Sequence, residues 1–118
     1  MKIENKTRKS IIAKDAEHAK SFFSRMRGLM LCKKPKTLVL EASKSGIEPC
    51  SIHMFFMRFP IDVIWVDESG VVADTYESVK PFSLRIFSPE RAAKYIIEAP
   101  VGTIKATKTK KGDKISLN

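Results

Sequence analysis

The N-terminal part of the chain has a pattern of apolar positions that predicts an amphipathic helix. Asp15 suits a helix N-cap, and Glu17 in the first turn complements the helix dipole. The apolar residues that follow recur at intervals of three and four, which is the spacing of one helical face: Ala16, Ala19, Phe22, Phe23, Met26 and Met30. Gly28 is expected to end or loosen this helix near its C-terminus.

The other apolar segments are short, which predicts strands. Two of them, 51–59 and 61–67, are separated only by Pro60 and are apolar on both faces, as buried central strands are. A turn at 67–70 joins the second segment to a strand at 71–79 in an expected hairpin. The remaining predictions are strands at 7–13, 37–41, 93–99 and 114–117, a loop at 43–49, an irregular segment at 81–91 and a helical turn at 102–108.

One main helix and about seven short, mostly antiparallel strands predict an α+β fold. Such strands close into a small β-barrel, or curl strongly into a sheet that the helix plugs. The chain has 118 residues, of which 43% are hydrophobic, so we expect residues 1–118 to form a single domain. No apolar stretch reaches the ~18 residues of a membrane span, and residues 1–14 lack the apolar region of a signal peptide. The sequence therefore predicts a cytoplasmic protein without a membrane span.

The two cysteines, Cys32 and Cys50, are expected to be reduced thiols, because disulfides are rare in the cytoplasm. Cys50 and His53 form a C-x-x-H spacing that runs into a predicted strand, where side chains three residues apart point to opposite faces. The sequence also lacks a glycine-rich phosphate loop. We therefore predict neither a metal site nor a cofactor.

The net charge of +9 is concentrated at the two ends of the chain. Residues 1–14 carry five basic and one acidic side chain, and residues 103–118 have the same balance, so each segment contributes +4. If the first and last strands are neighbours, these two segments form one basic patch. The basic residues of the second segment are Lys105, Lys108, Lys110, Lys111 and Lys114.

One hypothesis for these lysines is a non-specific binder of nucleic acid or of an anionic surface, because lysines that neutralise phosphates give salt-sensitive, sequence-independent affinity. The second segment contains no aromatic residue on which a base would stack and no arginine for base-edge readout. The alternative is a solvated lysine surface that keeps the chain in solution.

Three segments, 27–30 (Arg-Gly-Leu-Met), 51–63 (Ser-Ile-His-Met-Phe-Phe-Met-Arg-Phe-Pro-Ile-Asp-Val) and the terminal Gly102 with 112–113 (Gly-Asp), resemble the uncharacterised "domain of unknown function 192" family, DUF192. Residues 95–102 are similar to that family's leucine-glutamate-leucine-x-x-glycine stretch. The resemblance extends over about residues 8–117. It implies a compact α+β domain with a barrel-like sheet, and it implies no activity, because the family has no established reaction.

The chain differs from many members of the family at one connection. Residues 57–60 form a short Met-Arg-Phe-Pro link where other members insert several residues, and Phe56 stands where others have Trp. Many bacterial relatives also carry an export signal, which we do not expect in this chain. If the connection lines a site, its ligand differs between the two forms.

Asp62 is the most informative single residue, because it opens an otherwise apolar strand and shares a face with Ile64 and Val66. A carboxylate in such a place is costly unless it is paired or hydrogen-bonded. One hypothesis makes Asp62 a ligand-contacting group or a general base. The other is structural, with Asp62 paired to Arg27 or Arg58 or capping backbone N–H groups at the turn.

His53 and Cys50 are the other candidates for chemistry. Histidine titrates near neutral pH and suits proton transfer or ligand contact, but a packed histidine with one hydrogen bond is the common alternative. Cys50 is a weak candidate for a nucleophile activated by His53, against an ordinary buried thiol. No nucleophile-elbow pattern supports a triad of Ser51, His53 and Asp62. A hydrolase-like enzyme is therefore the least favoured function.

The function predicted first is a small binding module for a small or extended polar ligand such as a glycan. Aromatic and carboxylate groups that share a rim would form its cleft, around His53 and Asp62. The predicted ligand-binding residues are Arg27, His53, Phe59, Asp62 and Glu98. For Arg27 and Glu98, the alternative is a structural ion pair.

Overall fold

The structure, a computed structural model, describes residues 1–19, 36–53, 59–81 and 86–118. These ranges contain ten strands, one short α-helix and a 3₁₀ turn. The strands are β1 Ile3–Asn5, β2 Ser10–Ala13, β3 Glu17–Ala19, β4 Leu38–Gly46, β5 Ile52–His53, β6 Ile61–Val66, β7 Val72–Val79, β8 Ile86–Phe87, β9 Ala93–Pro100 and β10 Ile115–Leu117. Helix α1 spans Thr103–Thr107, and the 3₁₀ turn spans Glu48–Cys50.

A five-stranded sheet with the order β3-β4-β9-β6-β7 forms the centre of the fold. All its neighbouring strands are antiparallel except β3 and β4. All six residues of β6 are buried, as an apolar segment without alternation predicts for a central strand. The hairpin of β6 and β7 and the strand at β9 confirm the predictions made for these segments.

Strand β6 is buried on both faces, because its successive side chains enter two different cores. Val63 and Trp65 pack in one core with residues of the 3₁₀ turn, β5 and β8. Ile64 and Val66 pack in the other, which is covered by α1 and by the three-stranded sheet β10-β1-β2. The indole Nε1 of Trp65 donates a hydrogen bond of 2.8 Å to the carbonyl of Cys50, so this buried donor is satisfied.

The three-stranded sheet is joined to the edge of the central sheet. An isolated antiparallel bridge connects Val71 with Lys114, and the Met1 and Ala16 backbones exchange two hydrogen bonds of 2.8 Å beside β3. Among the described residues the strands do not close into a barrel, so of the two predicted forms the curled sheet is the one that agrees with the structure. Neither the length nor the hydropathy of any described helix reaches what a membrane-spanning helix requires.

The predicted N-terminal helix is wrong over its first residues, because Glu17–Ala19 is the strand β3. The strand pairs in parallel with β4, and the Glu17 N–H donates to the carbonyl of Thr37 at 3.0 Å. Ala16 is buried in the core. Pairing with a strand about twenty residues away in sequence has overridden the local helical spacing. The rest of the predicted helix falls in residues 20–35 and lies outside the described residues.

Several boundaries also differ from the sequence predictions. Strand β4 extends to Gly46, into the predicted loop at 43–49, and the sequence predicted neither β1 nor β8. The strand predicted at 7–13 begins only at Ser10. Of the strand predicted at 51–59, the structure describes Ile52–His53 as strand, and residues 54–58 lie outside the described residues. The helical turn and the last strand are confirmed as α1 and β10.

Candidate functional site

Strand β6 places the Asp62 carboxylate beside the backbone that enters α1. Its Oδ2 accepts hydrogen bonds from the N–H groups of Gly102 at 3.1 Å and Ile104 at 2.9 Å, and its Oδ1 accepts one from Ser78 at 2.9 Å. The side chain has no exposed surface. One buried carboxylate therefore connects β6, β7 and the start of α1, which supports the structural hypothesis of a backbone cap.

The residues that Asp62 holds have unusual backbone geometry. Ser78 has a φ of 53°, at an irregularity in the pairing of β6 with β7, where a ladder hydrogen bond is lost. Gly102 has a φ of 97°, in the left-handed region where glycine is favoured. The carboxylate accepts the N–H groups of both residues, which compensates for the ladder hydrogen bond lost at Ser78 and satisfies the N–H of Gly102 in the turn before α1.

Of the other residues predicted for chemistry or for a ligand cleft, Cys50 and Phe59 pack in the core that contains Trp65, on the opposite face of β6 from Asp62. Cys50 is fully buried, and burial raises the pKa of its thiol, which disfavours the thiolate that a nucleophile requires. Glu98 is buried in β9, and Phe59 is half-buried against the core that contains Trp65. Arg27 and the side chain of His53 lie outside the described residues. The ligand-binding roles of these residues stay predictions.

The two basic segments, by contrast, lie side by side. Strand β1 pairs with β10, with Ile3 opposite Leu117 and Asn5 opposite Ile115. The condition set from the sequence for a single basic patch, that the first and last strands are neighbours, is therefore met. The β1–β2 turn carries Arg8, and the lysines of the second segment are carried by α1 and the loop that follows it.

A cleft of about 550 Å³ lies where these segments meet the edge strand β7. Among the described residues, its cationic lining residues are Arg8, Lys105, Lys108, Lys110 and Lys111, against the single carboxylate of Glu77. None of the lining residues that the structure describes is aromatic. Of the five lysines predicted to bind nucleic acid, only Lys114 does not line this cleft, and its ammonium group donates instead to the carbonyl of Ser69.

Two of the five cleft cations already have an anionic partner. Lys111 pairs with Glu90 at the surface, where the hydrogen bond from the ammonium group raises the pKa of the lysine. Arg8 pairs with Asp113 at 3.0 Å. Within the described part of the chain, no carboxylate forms an ion pair with Lys105, Lys108 or Lys110, and all three are exposed. Three exposed charges are therefore available to an anionic ligand.

A buried polar network holds the loop that carries these lysines. The Asn5 amide donates to Thr109 Oγ1 at 3.1 Å and to Asp113 Oδ2 at 3.0 Å, and the hydroxyls of Thr107 and Thr109 are 2.7 Å apart. The Lys110 N–H donates to the same Asp113 oxygen at 3.0 Å. Burial raises the pKa of the Asp113 carboxyl, but the hydrogen bonds from Asn5, Arg8 and Lys110 outweigh it and lower the pKa below its ordinary value.

The sequence predictions did not single out this network. The only local signal is Asn5 itself, a polar residue two positions after Ile3 and on the same, buried face of β1. Asp113 enters the sequence predictions only as a charge of the second segment and as part of the Gly-Asp pair in the family resemblance. For metal ions, the described residues contain no group of three or more histidine, cysteine, aspartate or glutamate side chains that could act as ligands.

The fold itself is known from solved structures. A protein of Sinorhizobium meliloti 1021, described as a candidate transcription regulator, superposes with a TM-score of 0.81 over 98% of this chain and 89% of its own, at 18% identity. A protein of unknown function from Novosphingobium aromaticivorans DSM 12444 superposes with a TM-score of 0.82 over 98% of this chain and 82% of its own, at 15% identity. At such low identities the likeness concerns the fold alone.

The chain belongs to the DUF192 family, described as "Uncharacterized ACR, COG1430", whose profile matches residues 2–117. A UPF0127 protein of Thermococcus kodakarensis is 44% identical over 99 residues, which are 83% of this chain and 61% of the relative's length. The chain thus matches about three-fifths of that curated relative. The resemblance inferred from the motifs at 27–30 and 51–63 is confirmed, and neither the family nor this relative has an assigned activity.

Proposed function

We propose that this chain is a binding module for phosphate-bearing polyanions, and that nucleic acid is the class of partner it takes. The observation that carries the proposal is the cleft, whose described lining contains five cations and one carboxylate, Glu77. Such a concave surface of one charge sign raises the local concentration of an oppositely charged ligand. The proposal therefore assigns the charge of both chain ends to a single surface.

The number of phosphates that the cleft can bind depends on how many of its cations do not already form an ion pair with a carboxylate of the protein. Lys105, Lys108 and Lys110 have no ion-pair partner among the described residues, whereas Lys111 and Arg8 share their charge with Glu90 and Asp113. We therefore expect about three to four phosphate contacts. The corresponding salt dependence is a fall in affinity of roughly 40- to 150-fold between about 50 and about 200 mM salt.

The frame beneath the cleft favours binding, because the loop carrying the lysines is ordered before any ligand arrives. Asn5, Thr107, Thr109 and Asp113 are buried and bonded to one another. Only the lysine side chains then lose freedom on binding, and a smaller loss of entropy leaves more of the electrostatic gain as affinity.

The lining also indicates which part of a nucleic acid is contacted. Bases are recognised by stacking on aromatic side chains or by directed hydrogen bonds to their edges, and the described lining of the cleft contains no aromatic residue. Lysines contact phosphates as point charges and carry no sequence information. We therefore expect binding to duplexes of unrelated sequence with similar affinity.

The polar-ligand or glycan hypothesis around His53 and Asp62 has less support. Asp62 has no exposed surface, and both its oxygens accept backbone hydrogen bonds. Phe59 is half-buried, so it presents less surface than an open stacking platform would. The hydrolase-like alternative has no support from Cys50, whose thiol is buried with a raised pKa.

The experiment is a fluorescence-anisotropy titration of a labelled short duplex at several salt concentrations. The test variant is Lys105→Gln with Lys110→Gln, which removes two cleft charges and nearly preserves side-chain length. We expect it to make the plot of log affinity against log salt shallower by about 1.8. The matched control is Lys44→Gln, an exposed lysine of β4, which β9 and β6 separate from the edge strand at the cleft.

The wild-type chain and the Lys44→Gln control should show the same salt dependence. Affinity that does not change with salt, or a double variant that binds like the control, would overturn the proposal. Failure of the wild-type chain to bind any duplex at low salt would overturn it as well.

A further inference from the structure

Arg8 differs from the lysines of the cleft, because a buried carboxylate fixes its guanidinium group. The Arg8 Nε donates to Asp113 Oδ2 at 3.0 Å. The Asp113 side chain is only 4% exposed, whereas 34% of the Arg8 side chain is exposed and lines the cleft. The Nε of the guanidinium group is thus anchored in the protein, while Arg8 remains partly exposed and lines the cleft.

The backbone of Arg8 is anchored to the same network. Its N–H donates to Asn5 Oδ1 at 3.0 Å, and the Asn5 amide donates to Asp113 Oδ2 at 3.0 Å. Asn5 and Asp113 therefore hold both the main chain and the side chain of Arg8. Such double anchoring removes most of the freedom that a surface arginine would lose on binding a ligand.

The anchoring leaves the binding end of the arginine available. A guanidinium group has five N–H donors, and Asp113 takes only the one on Nε. No acceptor within the described ranges takes a hydrogen bond from the two terminal nitrogens of Arg8. These nitrogens form a planar fork whose spacing matches two oxygens of one phosphate, a geometry that a lysine ammonium group cannot reproduce.

We propose that Arg8, positioned by Asp113, selects phosphate in this cleft by donating paired hydrogen bonds from its two terminal nitrogens to two oxygens of one phosphate group. The inference rests on the proposed function and adds a specificity-determining residue to it. The lysines supply attraction that depends on charge alone, and Arg8 supplies recognition that depends on the shape of the anion.

The first test is Arg8→Lys, which keeps the charge and removes the fork. We expect the affinity for a labelled duplex to fall about tenfold at fixed salt, the equivalent of one charge-assisted hydrogen bond. The slope against salt should not change, because the number of positive charges is the same. Arg91→Lys is the matched control, since Arg91 is exposed and does not line the cleft. Equal affinity of Arg8→Lys and the control would overturn the inference.

The second test is Asp113→Asn, for which charge and anchoring give opposite expectations. The substitution raises the net charge by one, so attraction by charge alone would tighten duplex binding. Loss of the anchor should weaken binding instead. Tighter binding by this variant would therefore contradict the positioning role of Asp113. If the fluorescence of Trp65 shows that Asp113→Asn is unfolded, the duplex affinity of Arg8→Lys alone tests the role of Arg8.

A phosphodiester of nucleic acid and a phosphomonoester of a small molecule present the same pair of oxygens, and competition at constant ionic strength distinguishes the two sources. If a nucleoside monophosphate displaces the labelled duplex from wild type, and displaces it less well from Arg8→Lys, Arg8 recognises phosphate and the phosphate can belong to a small molecule. Displacement by unlabelled duplex alone supports the fork with a polymer source. Displacement by acetate as effective as by phosphate would overturn selection by Arg8.

The two proposals fail in different ways. A wild-type chain that shows no salt-dependent duplex binding contradicts the proposed function itself. A wild-type chain that binds with the expected salt dependence, together with an Arg8→Lys variant of equal affinity, contradicts only the assignment of Arg8.

Discussion

Replacement of Asp62 by Asn tests whether this buried carboxylate is part of the frame of the fold. The substitution preserves the shape of the side chain and replaces one charged oxygen by an amide nitrogen. In the native structure the two oxygens accept three backbone N–H groups, from Ser78, Gly102 and Ile104. An asparagine has one oxygen to offer, so at least one of these donors then faces another donor.

The loss of unfolding free energy depends on which of the three N–H donors is left without an acceptor. The hydrogen bond from the Ser78 N–H is only partly buried, whereas the one from the Ile104 N–H is buried and its loss costs more. We therefore expect the asparagine oxygen to turn toward Gly102 and Ile104. One charge-assisted hydrogen bond is then lost and two become neutral, which together cost about 2–4 kcal/mol of unfolding free energy. This is a large part of the ~5–15 kcal/mol that stabilises a typical domain.

The assay is urea unfolding followed by the fluorescence of Trp65, which is fully buried and is the only tryptophan of the chain. The matched control is Glu68→Gln, an exposed carboxylate in the β6–β7 turn, which should stay within about 0.5 kcal/mol of wild type. If Asp62→Asn is as stable as this control, the carboxylate does not support the backbone and the functional hypothesis for Asp62 gains ground.

Three further results are expected. The pKa of Asp113 is lowered in the folded state, so its contribution to stability is complete above about pH 4 and is lost as the pH falls through the folded pKa. The urea midpoints of wild type and Asp113→Asn should therefore converge in acid. A difference between the two midpoints that does not depend on pH would contradict this. Lys108 has a φ of 58° at the end of α1, a conformation that glycine adopts more readily, so Lys108→Gly should add about 0.5–1 kcal/mol of unfolding free energy. The same substitution removes a cleft charge and should weaken duplex binding. Unchanged binding would show that Lys108 is not part of the interface. Burial raises the pKa of Cys50, so peptide mapping should find this thiol unalkylated at neutral pH until urea unfolds the chain, and labelling in native buffer would contradict it.

The local pattern of apolar and turn residues was sufficient to predict those elements whose structure depends mainly on their own residues. The uniformly apolar β6, its hairpin with β7 and the short helix before the last strand follow from composition and turn residues. The burial of Asp62 could also be anticipated, because it shares a strand face with Ile64 and Val66. Its partners could not, since Gly102 and Ile104 are about forty residues away and meet it only once β6 pairs with β9.

The mistaken helix at Glu17–Ala19 has a similar cause. Amphipathic spacing is a local signal, and pairing of these residues with β4 depends on a segment that no local window contains. The same limit hid the anchoring of Arg8, whose partner Asp113 is 105 positions away. The basic patch could be predicted in part. Its charges can be read from the sequence, whereas the pairing of β1 with β10 that brings them together is a property of the fold.

The central claim is that the basic cleft, and not the segment around His53 and Phe59, is the binding surface. The most direct measurement is an NMR titration of the isotope-labelled chain with a short duplex at low salt. We expect the largest amide shift changes at Arg8 and in residues 104–111, and we expect them to vanish when salt is raised. Largest changes in residues 52–60, or no changes anywhere, would contradict the claim.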